Sequence, residues 1–224
     1  MNVEDQGVTR RMKIVTRPIT QLVLLLAALG VLSACGASRA VNYYVLDVDP
    51  PQATSASQLP IVLVVGRIST THLYRDDRLV YGSGPVELGT YEYQRWAEPP
   101  AEMVQDILIT YLRATRQYRS VSRLTSSLRA DYIVRGHLLG LYEVDKPKLA
   151  ARFSLQLELF DPNSRMTVWT SSYSHDDLVE GKKVADVVET LDKNVRNGMQ
   201  QLTSDLGQYF LNHPPQTPQP AQSR

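Results

Sequence analysis

"RFSLQLELFDPNSRMTVWTSSYS", residues 152–174, decides how this chain folds. Phe153, Leu155, Leu157 and Leu159 alternate with Arg152, Ser154, Gln156 and Glu158. Successive side chains of a strand point to opposite faces, so the pattern predicts a strand with one dry face and one wet one. Asp161-Pro162-Asn163-Ser164 is turn chemistry. "MTVWTSSYS" (166–174) then predicts a second strand returning beside the first as a hairpin. A sheet with one apolar face needs another layer to cover it.

Both flanks supply that layer. Downstream, residues 183–211 carry Val184, Val187, Leu191, Val195, Met199 and Leu202 at helical spacing, which predicts a long amphipathic helix. Upstream, "DYIVRGHLLGLYEV" (131–144) is strand-like, with Gly136 and Gly140 marking a bulge or a bend. Asp145-Lys146-Pro147-Lys148 then reads as a charged hairpin tip, so 131–174 is a β-meander. A first helix follows Pro99-Pro100, residues suited to a first helical turn. Glu98 and Glu102 sit at its start, Arg113 and Arg116 toward its end, as the helix dipole favours. Its apolar face is Val104, Ile107, Leu108, Tyr111 and Leu112.

Further upstream, "LPIVLVVGRI" (59–68) is a continuous apolar run of strand length, which predicts burial on both faces in mid-sheet. "DRLVYGS" and "VELGTYEY" predict two more strands divided by Gly82-Ser83-Gly84-Pro85, and "NYYVLDV" (42–48) predicts the first strand. The expected fold class is α+β: a two-layer sandwich of an antiparallel or mixed sheet with two helices packed on it, the second long and C-terminal.

The N-terminal region reads differently. Arg10, Arg11, Lys13 and Arg17 precede an uncharged apolar run from Leu22 to Ala34. Its 13 residues are too few to span a bilayer as a helix, which needs about 20. A basic region, a short apolar run and small residues at its end describe a secretory signal peptide. Leu32-Ser33-Ala34-Cys35 resembles a bacterial lipobox, in which the cysteine thiol takes a diacylglycerol and the bond before it is cut. The segment from Met12 is a complete signal of this kind, so Met12 is an expected alternative start. The expected organisation is therefore a lipoprotein signal peptide at 1–34, acylated Cys35 with a short tether at 35–41, one domain at 42–212, and a disordered Pro/Gln-rich tail at 213–224. Gly36 stands where an aspartate would resemble an inner-membrane retention signal. That points to the periplasmic face of an outer membrane in a Gram-negative bacterium.

From Cys35 onward the chain has 20 basic and 21 acidic residues, so its charge gives no steering toward nucleic acid or an anionic surface. The four histidines, His72, His137, His175 and His213, show no metal-ligand spacing. His175-Asp176-Asp177 reads better as a solvated strand end than as a ligand set. Gly82-Ser83-Gly84 lacks the spacing of a nucleophile elbow. No catalytic residue, cofactor or metal is expected. "YEYQRWAEPP" (91–100) is more informative, because aromatics beside arginine are enriched at interface hot spots. Tyr91, Tyr93, Arg95 and Trp96 are the candidate partner-binding residues, with Trp96 equally suited to closing the core where strand enters helix.

A lipobox followed by "YYVLDV", "RWAEPPAEMVQDILITYL", "DYIVRGHLLGLYEVD" and "LELFDPNSRMTVWTSSY" resembles the ABC-type transport auxiliary lipoproteins, including the paraquat-inducible lipoprotein C type. The likeness covers roughly residues 42 to 210, and its most specific piece is Tyr93, Arg95, Trp96, Ala97, Glu98 and Pro99. Where that family often has a Tyr-Leu-Asp-Arg-like stretch, this chain reads His72-Leu73-Tyr74-Arg75-Asp76-Asp77-Arg78. The resemblance implies a non-enzymatic accessory that docks an MCE (mammalian cell entry) conduit at the outer membrane. An MCE-domain protein and its ABC permease and ATPase would be the partners. Self-association through the exposed strip of the C-terminal helix is a further expectation. The alternatives are another periplasmic lipoprotein (an assembly factor or an activator of a cell-wall synthase), a hydrolase built on Ser83, His72 and Asp77, or a lipid-binding module with an apolar cavity.

Overall fold

A computed structural model describes residues 39–50, 58–84, 86–124 and 129–214. The chain divides into Met1–Ala40 and Val41–Arg224, and the fold described here is that of the second unit. The signal region, Cys35 and the tail from 215 onward lie outside the described residues.

The elements run β1 (Asn42–Tyr44), β2 (Leu59–Thr70), a 3-10 turn (His72–Tyr74), β3 (Arg78–Gly82), β4 (Leu88–Trp96), α1 (Pro100–Ala114), β5 (Tyr118–Arg123), β6 (Tyr132–Val144), β7 (Ala150–Asp161), β8 (Met166–Leu178) and α2 (Val184–Asn212). All eight strands form one mixed sheet with both helices packed on it. The predicted meander is present: β6, β7 and β8 pair antiparallel in succession. Phe153, Leu155, Leu157 and Leu159 are all at most 1 % exposed, and each buried leucine or phenylalanine contributes about 1.5–3 kcal/mol. The other edge of β6 is shared. β2 pairs in parallel with its first half and β3 with its last residues, so β2 and β3 act as one interrupted strand. β2 continues outward to β5, and β3 continues to β4 and then β1.

Pro99 caps α1 and Pro100 opens it, and the Pro99 carbonyl accepts from Glu102 N at 2.9 Å and Met103 N at 3.2 Å. The main contacts of α1 are with β2 and β5, and those of α2 with β7 and β8. Asn194 is fully buried in the middle of α2, where its Nδ2 donates to the Ala151 and His175 carbonyls, each at 3.0 Å. That side chain ties the helix to β7 and β8 at one register.

Three expectations need correction in detail. The first strand ends at Tyr44 and not at 48, because its partner β4 ends at Trp96, opposite Tyr44, and the chain then turns into α1. Leu46 and Val48 still enter the core from outside the ladder. Strand β5 has no counterpart in the sequence reading. Only Tyr118 and Val121 of its six residues are buried, three apart, which gives no alternation to see. Arg116 lies beyond the end of α1 at a φ of 52°, so Arg113 alone sits in the last turn. Both glycines of β6 stand at irregularities, Gly136 where the pairing with β2 shifts between Val65 and Ile68, and Gly140 where the pairing with β7 shifts after Leu138.

Candidate functional site

The four candidate residues all lie on β4, in the arm formed by β3, β4 and β1. Gly89, opposite Tyr81, leaves room for the tyrosine ring, since a Cβ there would stand 3.0 Å from its Cζ. The Tyr81 and Tyr91 rings pack at 4.8 Å between centroids. Tyr91 donates to the Glu143 carboxylate at 2.9 Å, linking the arm to β6. Burial, with the Glu143 carboxylate beside it, raises the Tyr91 hydroxyl above its ordinary value. Burial also raises Glu143, against the opposing pull of the Tyr91 bond.

Arg95 pairs with Asp77 at 2.8 Å, with both side chains about a quarter to a third exposed. Asp77 belongs to the connection between β2 and β3, and its carbonyl accepts from Trp96 N. The stretch His72–Arg78 therefore braces β4 from the side. Asn42 and Tyr44 both donate to Gln94 Oε1, at 3.2 and 2.8 Å. Tyr43 stands opposite Arg95 on the other face and is 63 % exposed.

Trp96 is 1 % exposed and belongs to the core. Its position matches the core-closing role: the strand ends there and α1 begins four residues on. Tyr91, Tyr93 and Arg95 are each half-buried at the surface of the arm, so the structure keeps these three together and withdraws the fourth. Glu143, Asp77, Tyr81 and Tyr43 were not anticipated as members of this cluster. The sequence signal for them is weak, because they come from β6, a connecting loop, β3 and β1.

The hydrolase set is not assembled among the described residues. Asp77 is engaged by Arg95, and the five residues of β3, about 16 Å of strand, separate it from Ser83. His175 and Asp176 likewise have separate partners: His175 Nε2 lies 3.3 Å from Asp177, while Arg152 forks onto Asp176 from β7. No group of three or more candidate metal ligands occurs among the described residues. A cleft of about 480 Å³ lies between β2 and the start of α1, lined by Arg67, Thr70, Tyr74, Arg75, Pro99 and Glu102, a mixed polar and apolar wall. No helix of the described residues is long and apolar enough to cross a membrane.

Two solved structures share the architecture. A crystallised Xanthomonas campestris protein, 18 % identical, aligns over 77 % of this chain and 99 % of its own with a TM-score of 0.69. An uncharacterised protein, 12 % identical, aligns over 75 % of this chain and 99 % of its own with a TM-score of 0.59. A dodecameric PelC from Paraburkholderia phytofirmans, 12 % identical over 68 % of this chain and 94 % of its own, gives 0.43. No protein of curated function matches. The model of the ABC-type transport auxiliary lipoprotein component matches residues 44–203, from β1 to the last third of α2. The chain belongs to that family of auxiliary lipoproteins.

Proposed function

We propose that this chain is a non-enzymatic accessory of an MCE-type ABC lipid transport system, held at the periplasmic face of the outer membrane by fatty acids on Cys35. One observation carries the reading: the match to the auxiliary-lipoprotein family begins at residue 44, nine positions after Leu32-Ser33-Ala34-Cys35, which resembles a lipobox. Each buried methylene of an acyl chain contributes about 0.8 kcal/mol, so one chain anchors marginally and several anchor stably. Fixing the domain to one membrane raises its effective concentration toward a partner that crosses the periplasm. The surface offered to that partner is the arm bearing Tyr91, Tyr93 and Arg95. Trp96 supports that surface from beneath.

Purification from detergent-solubilised membranes, with mass spectrometry of the N-terminal peptide and of co-purifying proteins, tests the proposal. The expected result is an acylated Cys35 and an MCE-domain protein with its permease. A bare thiol on a chain found in the soluble periplasm overturns the anchoring. A cell-wall synthase recovered in place of the MCE protein overturns the assignment of partner. Tyr93→Ala is expected to weaken recovery while lowering the melting temperature by only about 2–4 °C.

A further inference from the structure

β1 runs parallel to β4 with Asn42 opposite Gln94, so β1 begins at its end nearer Leu88 and the β3–β4 turn. That turn lies beside the β6–β7 turn: Gly82 is opposite Val144, and Asp145 N donates to the Gly82 carbonyl at 3.0 Å. Leu178, the last residue of β8, is opposite Ala150, the first of β7, at the same end of the sheet. Two apolar side chains project there without cover among the described residues: Val86 is 97 % exposed and Leu178 63 %. The opposite end holds the β7–β8 turn with exposed Met166.

Two lengths are comparable. From Gln94 back to Leu88 is six residues, about 20 Å of strand. From Asn42, the partner of Gln94, back to Cys35 is seven residues, which reach at most about 25 Å when extended. A bilayer holding acyl chains on Cys35 therefore lies within about 25 Å of Asn42, a distance that includes the strand tips. We infer that this end of the sheet rests on the lipid surface, with Val86 and Leu178 entering the headgroup layer. The inference depends on the acylation of Cys35 proposed above. Exposed Lys146 and Lys148 are offset locally by Glu87 and Asp145, so the contact is apolar and its occupancy should change little with salt.

Cys35 is the only cysteine in the chain, so once acylated it leaves no thiol to compete with an introduced one. The full acylated chain is prepared as Val86→Cys, Leu178→Cys, Tyr43→Cys and Met166→Cys, each labelled with a polarity-sensitive fluorophore. It is then reconstituted on phosphatidylethanolamine–phosphatidylglycerol vesicles. All four positions are exposed, so the fold should tolerate the labels. Flotation with the vesicles reports the anchor, and fluorescence rise with quenching by brominated lipid reports the contact. The expected result is a several-fold rise at 86 and 178, quenched by brominated lipid, and little change at 166. A larger response at 43 or 166, or none at any site on floating protein, overturns the orientation and leaves the anchor standing. Failure to float, with a bare thiol at Cys35, overturns both.

Discussion

Replacing Trp96 by alanine separates a core role from a contact role on the same strand. The ring is 1 % exposed and packs among core residues, so truncation removes its burial and leaves a cavity. Substitutions of this kind cost about 3–5 kcal/mol. In a domain of this size, one kcal/mol moves the melting temperature by about 2–4 °C, so the expected fall is about 6–20 °C. Nε1 has no hydrogen-bond partner among the described residues, so Trp96→Phe loses area and no bond, and should fall by less than half as much. Tyr93→Ala, at a half-buried site, should cost about 1 kcal/mol. Thermal melts by circular dichroism give the stabilities, and partner recovery is measured below the lowest melting temperature. If Trp96→Ala melts within about 2 °C of the parent, the packing argument is wrong. If it stays folded and loses the partner while Tyr93→Ala keeps it, Trp96 is a contact after all.

Two helical glycines should respond in opposite directions. A Cβ at Gly198 would stand 2.7 Å from Tyr173 Cδ1 and 2.8 Å from Phe153 Cε1, both on rings held between helix and sheet. Overpacking there costs about 1–3 kcal/mol and outweighs a propensity gain of about 1 kcal/mol. At Gly207 the obstacle is Gln117 Oε1 at 2.7 Å, the end of a flexible side chain that can swing aside, so Gly207→Ala should be neutral or stabilising. Equal shifts in denaturant midpoint would defeat that distinction. Asp192 gives a pH signature. Burial pushes its carboxyl up to about 6, although Asp47 N donates to it at 3.3 Å. A carboxylate raised above its unfolded value contributes stability that is present below about 4 and is lost as pH rises through about 6. Asp192→Asn should therefore raise the melting temperature at pH 7.5 and have little effect at pH 4, and the reverse ordering would refute the sign.

The parts of the fold legible in the sequence are those whose burial has one period. β7 alternates without exception from Ala151 to Leu159, and α2 keeps an apolar stripe from Val187 to Phe210. β5 was not legible, because an edge strand with Tyr118 and Val121 as its buried pair carries no such period. Asn194 was not legible either, since nothing local marks a polar residue in an apolar stripe as a link to two strand carbonyls. The candidate site shows the same division. An aromatic cluster next to arginine is visible as composition, but which ring faces inward depends on pairing with β1 and β3. The Arg95–Asp77 pair spans eighteen positions across the β3–β4 hairpin and follows only from the folded register.

That register also bears on how an anchored accessory could work. The helices contact mainly β2, β5, β7 and β8, while β3, β4 and β1 extend from the upper half of β6. This arm carries Tyr91, Tyr93 and Arg95, and it is also where the chain arrives from Cys35. The tether ends at Asn42, which is paired with Gln94 between Tyr93 and Arg95, so it joins the sheet directly beside the proposed contact residues. A flexible linker disperses a binding surface through a volume that grows with its length, which lowers the effective concentration at any one target. Here Asn42 and Tyr44, directly after the tether, are held by Gln94 on the strand that bears the proposed contact residues. Lengthening the tether by a glycine–serine insert between Gly36 and Arg39 should therefore weaken partner recovery while acylation and melting temperature stay the same. Undiminished recovery would show that a held position is not what the arm supplies.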